Sequence, residues 1–145
     1  MQLINLEQGR MGSVHQYEVR VYYEDTDAGG IVYYANYLKF MERARTEWLR
    51  DLGIEQDVLL ADNLGFVVRR VEMDNHRPAR FNQLLNIESQ ITKLNRASLI
   101  FEQTIYNHNN ELLVSAVVYV ACVDLSQMRA VAIPKNIKEE LLSVC

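Results

Sequence analysis

Tyr22-Tyr23-Glu24-Asp25-Thr26-Asp27-Ala28-Gly29-Gly30-Ile31-Val32-Tyr33-Tyr34-Ala35-Asn36-Tyr37 places three carboxylates in four residues, then two glycines, then an aromatic and apolar run. Glu24 to Asp27 is too polar for a core strand and reads as a loop. Gly29-Gly30 permits backbone conformations closed to other residues and lets a ligand approach the main chain. A helix start follows, offering free N–H groups and the positive end of a helix dipole. A carboxylate facing such amides can serve acyl transfer: one supplies a nucleophile or base, the others bind an oxyanion.

On the far side of the loop, Asn36 reads as a helix N-cap and Gly53 as a C′ stop. Between them Tyr37, Met41, Ala44, Trp48 and Leu52 recur on one face, flanked by Leu38, Arg45 and Leu49. Glu42, Arg43, Thr46 and Arg50 point away. This is the one long helix of the chain. Ile54 to Asp62 suggests a short second helix. On the near side, Val14 to Tyr23 alternates as a half-buried strand and delivers the chain into the acidic loop.

Beyond Leu64 the period changes to two. Gly65–Met73 reads as a strand that Pro78 ends or bends. Leu84–Leu94 carries Leu85, Ile87, Ser89 and Ile91 on one face. Ala97–Tyr106 carries Leu99, Phe101, Gln103 and Ile105. Asn107-His108-Asn109-Asn110 suits a hairpin turn, because Asn tolerates positive φ. Leu112–Val123 is nearly continuous Leu, Val, Ala and Tyr and suits a strand buried on both faces. Ala130–Ile133 suggests a last short strand, and Pro134 starts a C-terminal helix. One long helix against about five antiparallel strands is an α+β layer arrangement. Its free edges invite pairing with a second copy. Residues 1–13 read as a flexible lead-in and 14–145 as a single domain.

The whole chain narrows the function classes. Its 145 residues allow one domain with a real core. No apolar run approaches the ~20 residues needed to cross a bilayer, and no signal-peptide pattern opens the chain. A cytoplasmic protein is expected. Net charge is −4, from 15 basic and 19 acidic residues. Residues 64–145 hold 9 Lys/Arg and 8 Asp/Glu, too even a balance for a nucleic-acid footprint. Cys122 and Cys145 make neither a zinc spacing nor a disulfide framework.

The run from Tyr23 to Tyr37 resembles the signature of the 4-hydroxybenzoyl-CoA thioesterase group of hotdog-fold proteins. Phe40-Met41-Glu42-Arg43-Ala44-Arg45-Thr46-Glu47 is similar to one branch, the acyl-CoA thioesterase associated with the Tol–Pal envelope system of bacteria. Pro78-Ala79-Arg80, Val123-Asp124 and Ile133-Pro134-Lys135 fit the same branch. The resemblance covers roughly Tyr17 to Lys138. It implies a helix wrapped by a curved sheet, acyl-CoA as substrate, and no metal or redox cofactor. It also implies active sites at a dimer interface, in a homodimer or homotetramer. The family's catalytic Asp maps to Asp27. Its oxyanion donor, a backbone N–H at the helix start, maps to Tyr34. That branch often has His there; Tyr is found in the 4-hydroxybenzoyl-CoA enzymes. Because the backbone acts, the change bears on the acyl pocket and not on the chemistry. Gly30, Val32, Tyr33 and Phe66 are expected at the substrate, and Lys93 and Arg96 at the nucleotide phosphates of coenzyme A.

Each candidate has a plainer use. Asp27 suits a turn that caps its own loop. The five tyrosines from Tyr22 to Tyr37 suit packing and interface contact. Glu42 and Glu47 suit solvent or neighbouring arginines, although another hotdog branch carries its catalytic carboxylate on the helix. Arg69, Arg70 and Arg129 are weaker phosphate candidates than Lys93 and Arg96. His76 could face a pocket, but a structural histidine is the default. A divalent cation on Glu24, Asp25 and Asp27 lacks the calcium-loop spacing. No Ser or Cys stands in a nucleophile elbow. Besides hydrolysis, two readings stay open: a hotdog 3-hydroxyacyl dehydratase, which needs a His paired with an acid, and a binding module for acyl carrier protein or an envelope complex.

Overall fold

In a computed structural model, residues 12–145 are described. Most of the expected lead-in, residues 1–11, lies outside the described residues. The chain runs β1 (His15–Arg20), a 3-10 turn (Tyr23–Asp25), α1 (Asn36–Asp51), α2 (Gln56–Ala61), β2 (Leu64–Asn75), β3 (Leu84–Leu94), β4 (Ser98–Tyr106), β5 (Leu112–Asp124), β6 (Arg129–Ala130) and α3 (Lys135–Leu142).

All strand pairs are antiparallel, in the order β1-β3-β4-β5-β2, with β6 added on β5. Helix α1 packs on one face. It buries Tyr37, Phe40, Met41, Ala44, Trp48 and Leu49 in one cluster with Leu85, Ile87, Leu99, Phe101, Ile105, Val118 and Val120 of the strands. The inward faces of β3 and β4 are those expected: Leu85, Ile87, Ser89 and Ile91, then Leu99, Phe101, Gln103 and Ile105 are buried. The helix stripe is rotated slightly. Phe40 is fully buried, Leu38 is exposed, and Leu49 is buried in the core while Leu52 packs against it only partly buried.

The C-terminus of α1 closes as the sequence suggests. Gly53 has φ +82°. The Gly53 N–H donates to Arg50 O at 2.9 Å and the Ile54 N–H to Leu49 O at 2.8 Å, a Schellman pair. The N-terminus differs. Asn36 is not the cap but the first residue of the helix, after Ala35. Its Nδ2 donates instead to Asp25 O at 2.8 Å. An N-cap and a side-chain bond to main chain are each worth about 1 kcal/mol. Local energy therefore does not choose between them, and the bond to Asp25 ties the helix start to the acidic loop.

Strand β5 also departs from expectation. It is internal, between β4 and β2, but Ser115, Val117 and Tyr119 on its outer face are only half-buried. The expected strand over 130–133 shortens to Arg129–Ala130. Among the described residues, strand β2 pairs only with β5. A register shift between Val68 and Arg70 marks a bulge in it. At the hairpin between β4 and β5, Asn110 takes φ +61° and Asn107 Oδ1 accepts the N–H groups of Asn109 and Glu111 at 3.0 Å each.

Candidate active site

Asp27 opens a tight hairpin. Its N–H donates to Ile31 O at 3.0 Å, and its own carbonyl accepts the Gly30 N–H at 3.0 Å. Gly30 has φ +75°, so the loop Ala28–Gly30 closes as a turn followed by one left-handed residue. Gly29 does not take positive φ. Only the second glycine is demanded by the backbone. The Gly29 N–H donates to Asp27 Oδ1 at 3.0 Å, which fixes the carboxylate and leaves Oδ2 free of protein donors among the described residues.

The returning strand of the hairpin is held on both sides. The Tyr33 N–H donates to Asp25 O at 3.1 Å. The Val32 N–H donates to Ala79 O at 2.8 Å, and the Phe81 N–H to Gly30 O at 3.1 Å. The Ala79 N–H then donates to the buried Tyr37 hydroxyl at 3.0 Å. Burial raises the Tyr37 phenol pKa, and the Ala79 bond opposes this. The phenol therefore stays neutral and serves as an acceptor. Helix α1, the hairpin and the 79–81 segment are joined in one hydrogen-bonded unit.

The first turn of α1 follows directly. Asn36 N–H donates to Tyr33 O, Tyr37 N–H to Tyr34 O and Leu38 N–H to Ala35 O. Among the described residues, no acceptor takes the Tyr34 N–H. Asp27, Val32, Tyr33, Tyr34 and Tyr37 line one open cleft of about 440 Å³, closed opposite by Asn75, His76, Arg77 and Pro78. An anchored carboxylate and an unpaired helix-start amide thus share one cavity. Together they can present a nucleophile or base beside an oxyanion donor.

The other two acids are not built in the same way. The Tyr22 N–H donates to Asp25 Oδ2 at 2.8 Å, so Asp25 closes its own turn. Glu24 is exposed. Among the described residues no three His, Cys, Asp or Glu side chains gather as metal ligands. On α1, Glu47 pairs with Arg50, and Glu42 is exposed and accepts the Thr46 hydroxyl at 3.0 Å.

The remaining expected residues divide. Gly30 shapes the hairpin but does not line the cleft. Phe66 lines a different cavity, under the middle of α1. Lys93 and Arg96 are exposed around the β3–β4 turn, whereas the cleft lies beyond the opposite end of β3. Lys93 stands nine residues along the strand from Leu84, roughly 30 Å at about 3.3 Å per residue. Within one chain they do not meet Asp27. His76, which the sequence leaves as a structural histidine, does line the cleft, with Nε2 2.8 Å from Ser115 Oγ. Arg77 beside it carries no expectation from the sequence, and Pro78 is read there only as a strand end and as part of the family resemblance. The adjoining Pro78-Ala79-Arg80 run was the available signal.

The model of the thioesterase-like superfamily matches residues 21–141. An acyl-CoA thioester hydrolase YbgC from Shigella flexneri is 47% identical over 128 residues, covering 88% of this chain and 96% of the relative. An acyl-CoA thioesterase YbgC from Haemophilus influenzae is 48% identical over 123 residues, covering 84% and 90%. Among solved structures, a probable thioesterase from Bartonella henselae superposes with TM-score 0.78 at 39% identity, over 84% of this chain and all of that one. A 1,4-dihydroxy-2-naphthoyl-CoA thioesterase from Synechocystis superposes with TM-score 0.84 at 20% identity, over 90% and 96%, and shares the fold.

Proposed function

The chain belongs to the thioesterase-like superfamily, with the hotdog fold, and from that premise we propose that it hydrolyses acyl-CoA thioesters. In this reading Asp27 carries the chemistry and the Tyr34 N–H binds the developing oxyanion. The observation that carries it is the anchored Asp27 carboxylate in the same cleft as the unpaired Tyr34 amide. The thioester carbonyl sits with its oxygen on the Tyr34 N–H. The free Oδ2 of Asp27 either attacks the carbonyl carbon or takes a proton from a water that does. Coenzyme A thiolate then leaves, and a thiolate needs little acid assistance. The attack route passes through a mixed anhydride that water cleaves. In a single turnover in ¹⁸O-water, an unlabelled first acid with the label left in Asp27 identifies the anhydride route with water attacking the Asp27 carbonyl, whereas a labelled acid fits either direct attack of water on the thioester or water attacking the acyl carbonyl of the anhydride.

The reading also includes a second copy. Antiparallel pairing through the edge of β2 that no described strand takes brings the Leu64 end of one copy to the Asn75 end of the other. Strand β2 has 12 residues, so its ends lie roughly 36 Å apart. Such a homodimer would deliver Phe66, Lys93 and Arg96 of one copy toward the Asp27 cleft of the other, which a single chain does not do. Val32 and Tyr33 would then meet the acyl group, and the basic pair the nucleotide phosphates. Assembly to a tetramer, use of acyl carrier protein, action in the cytoplasm and the Tol–Pal setting belong to the same reading.

Thiol release from short, long and aromatic acyl-CoAs tests the reaction class. His76 in the cleft favours one second reading, dehydration of a 3-hydroxyacyl thioester with Asp27 and His76 as the acid–base pair. Formation of an enoyl thioester without thiol release would select it.

A further inference from the structure

The hairpin that carries Asp27 is laced by the Asp27 N–H to Ile31 O at 3.0 Å, by the Thr26–Val32 bridge, and by the Tyr33 N–H to Asp25 O at 3.1 Å. At its closed end the Gly29 N–H fixes the Asp27 carboxylate. The Tyr34 N–H lies past the open end, where the chain passes into α1. Nothing in the turn aims it.

The peptide between Tyr33 and Tyr34 is trans, so its C=O and its N–H point in opposite directions. The C=O accepts the Asn36 N–H at 2.8 Å. Holding that oxygen therefore sets where the Tyr34 N–H points. The Asn36 side chain supplies a further hold. Its Nδ2 donates to Asp25 O at 2.8 Å, the same oxygen that accepts the Tyr33 N–H. A carbonyl oxygen only accepts, so the amide must present its nitrogen there. The bonds close a ring that runs from Asp25 O to the Tyr33 N–H, from Tyr33 O to the Asn36 N–H, and from Asn36 Nδ2 back to Asp25 O.

Tyr33 is thus held at both its N–H and its C=O. The Asn36 bond is part-buried, which limits competition from water. A side chain serving only the helix start would turn its oxygen to a free N–H of the first turn. Asn36 instead turns its nitrogen away from the helix, to the loop. All bonds of the ring lie within residues 25–36, so it is complete in a single chain.

We infer that Asn36 is a positioning residue: through the Asp25 carbonyl and Tyr33, its side-chain amide aims the Tyr34 N–H at the thioester oxygen. It touches no reacting atom itself. The inference rests on the proposed hydrolase for the use made of that N–H.

Asn36→Ala tests it by kinetics and by amide hydrogen exchange. Alanine suits a helical turn, so the thermal midpoint should move little. A misaimed oxyanion donor weakens binding of the transition state and not of the substrate. The kcat for thiol release should therefore fall roughly tenfold, a part of what removing such a donor costs, with KM held within about twofold. The amides at positions 33 and 36 should exchange roughly fivefold faster, the scale of one hydrogen bond. Those of Ala44 and Trp48, in the middle of α1, should keep their rates. If Asn36→Ala does not fold, as judged by thermal unfolding, Asn36→Ser carries both measurements, because its side chain is too short for the Asp25 carbonyl. A kcat within about twofold of the original overturns the inference. So does a raised KM at unchanged kcat, or faster exchange along the whole of α1, which marks lost stability alone. Absence of thiol release from the unmodified protein defeats the hydrolase proposal instead. The exchange rates at 33 and 36 then decide whether Asn36 holds the Tyr33–Tyr34 peptide, and unchanged rates overturn it.

Discussion

The buried hydroxyl of Tyr37 accepts the main-chain N–H of Ala79 at 3.0 Å, and this joins the first turn of α1 to the segment that clamps the Asp27 hairpin. Tyr37→Phe keeps the ring but leaves the Ala79 N–H without its acceptor in the core. An unsatisfied buried donor costs about 1–3 kcal/mol. Urea unfolding should show a loss in that range. Thiol release should fall as well, through kcat more than KM, because the hairpin carrying Asp27 loses a support.

Gly30 sits at φ +75° with open space around the position of a Cβ. Strain, not crowding, decides substitutions there. Gly30→Ala should cost about 1–2 kcal/mol and Gly30→Asn less, since Asn tolerates the left-handed region. Equal losses for Ala and Asn in urea unfolding would argue against a conformational cause.

Asp124 is the last residue of β5, at the turn before β6. Its Oδ1 accepts from the Ser126 N–H at 2.9 Å, the Ser126 hydroxyl at 2.6 Å and the Gln127 N–H at 3.4 Å. The Ser126 bonds hold its carboxyl pKa below the ordinary value of 3.8. A lowered carboxyl stabilises the fold above its unfolded pKa and loses that contribution as pH falls through the folded value. Asp124→Ala should therefore lower the urea midpoint at pH 6. The gap from the unmodified protein should narrow as the pH drops below about 4.

A composite active site predicts rescue between defective copies. Asp27→Asn chains lack the chemistry, and chains carrying both Lys93→Glu and Arg96→Glu lack the proposed phosphate contacts. Mixed dimers hold one site built from the unaltered half of each chain. Refolding the two together should restore about a quarter of the normal activity at low substrate, from half the dimers with one good site each. No recovery above the separate variants would place all functional groups in one chain.

The strands and the long helix were legible because their periods are plain. Leu85–Ile91 and Leu99–Ile105 alternate without exception, and Gly53 stops α1 where a left-handed residue is required. Asn36 misled because a good capping residue is also a good partner for a neighbouring carbonyl, and the Asp25 carbonyl lies within reach. At the site, the acidic loop and the Tyr34 amide were readable because they are close in sequence. His76 was not, because its approach to Asp27 depends on where a strand fifty residues away ends. Lys93 and Arg96 carried a family expectation that one chain alone does not realise.

The central claim is that Asp27 carries the chemistry, and thiol release from an acyl-CoA panel by the unmodified protein and by Asp27→Asn tests it most directly. Asn retains an Oδ1 to accept the Gly29 N–H, so the hairpin should stand and the thermal midpoint should hold. The account predicts hydrolysis by the unmodified protein and a fall in kcat of at least about a hundredfold in the variant, as expected on removing a nucleophile or base. A folded Asp27→Asn protein that still works within about twofold of the original would contradict it.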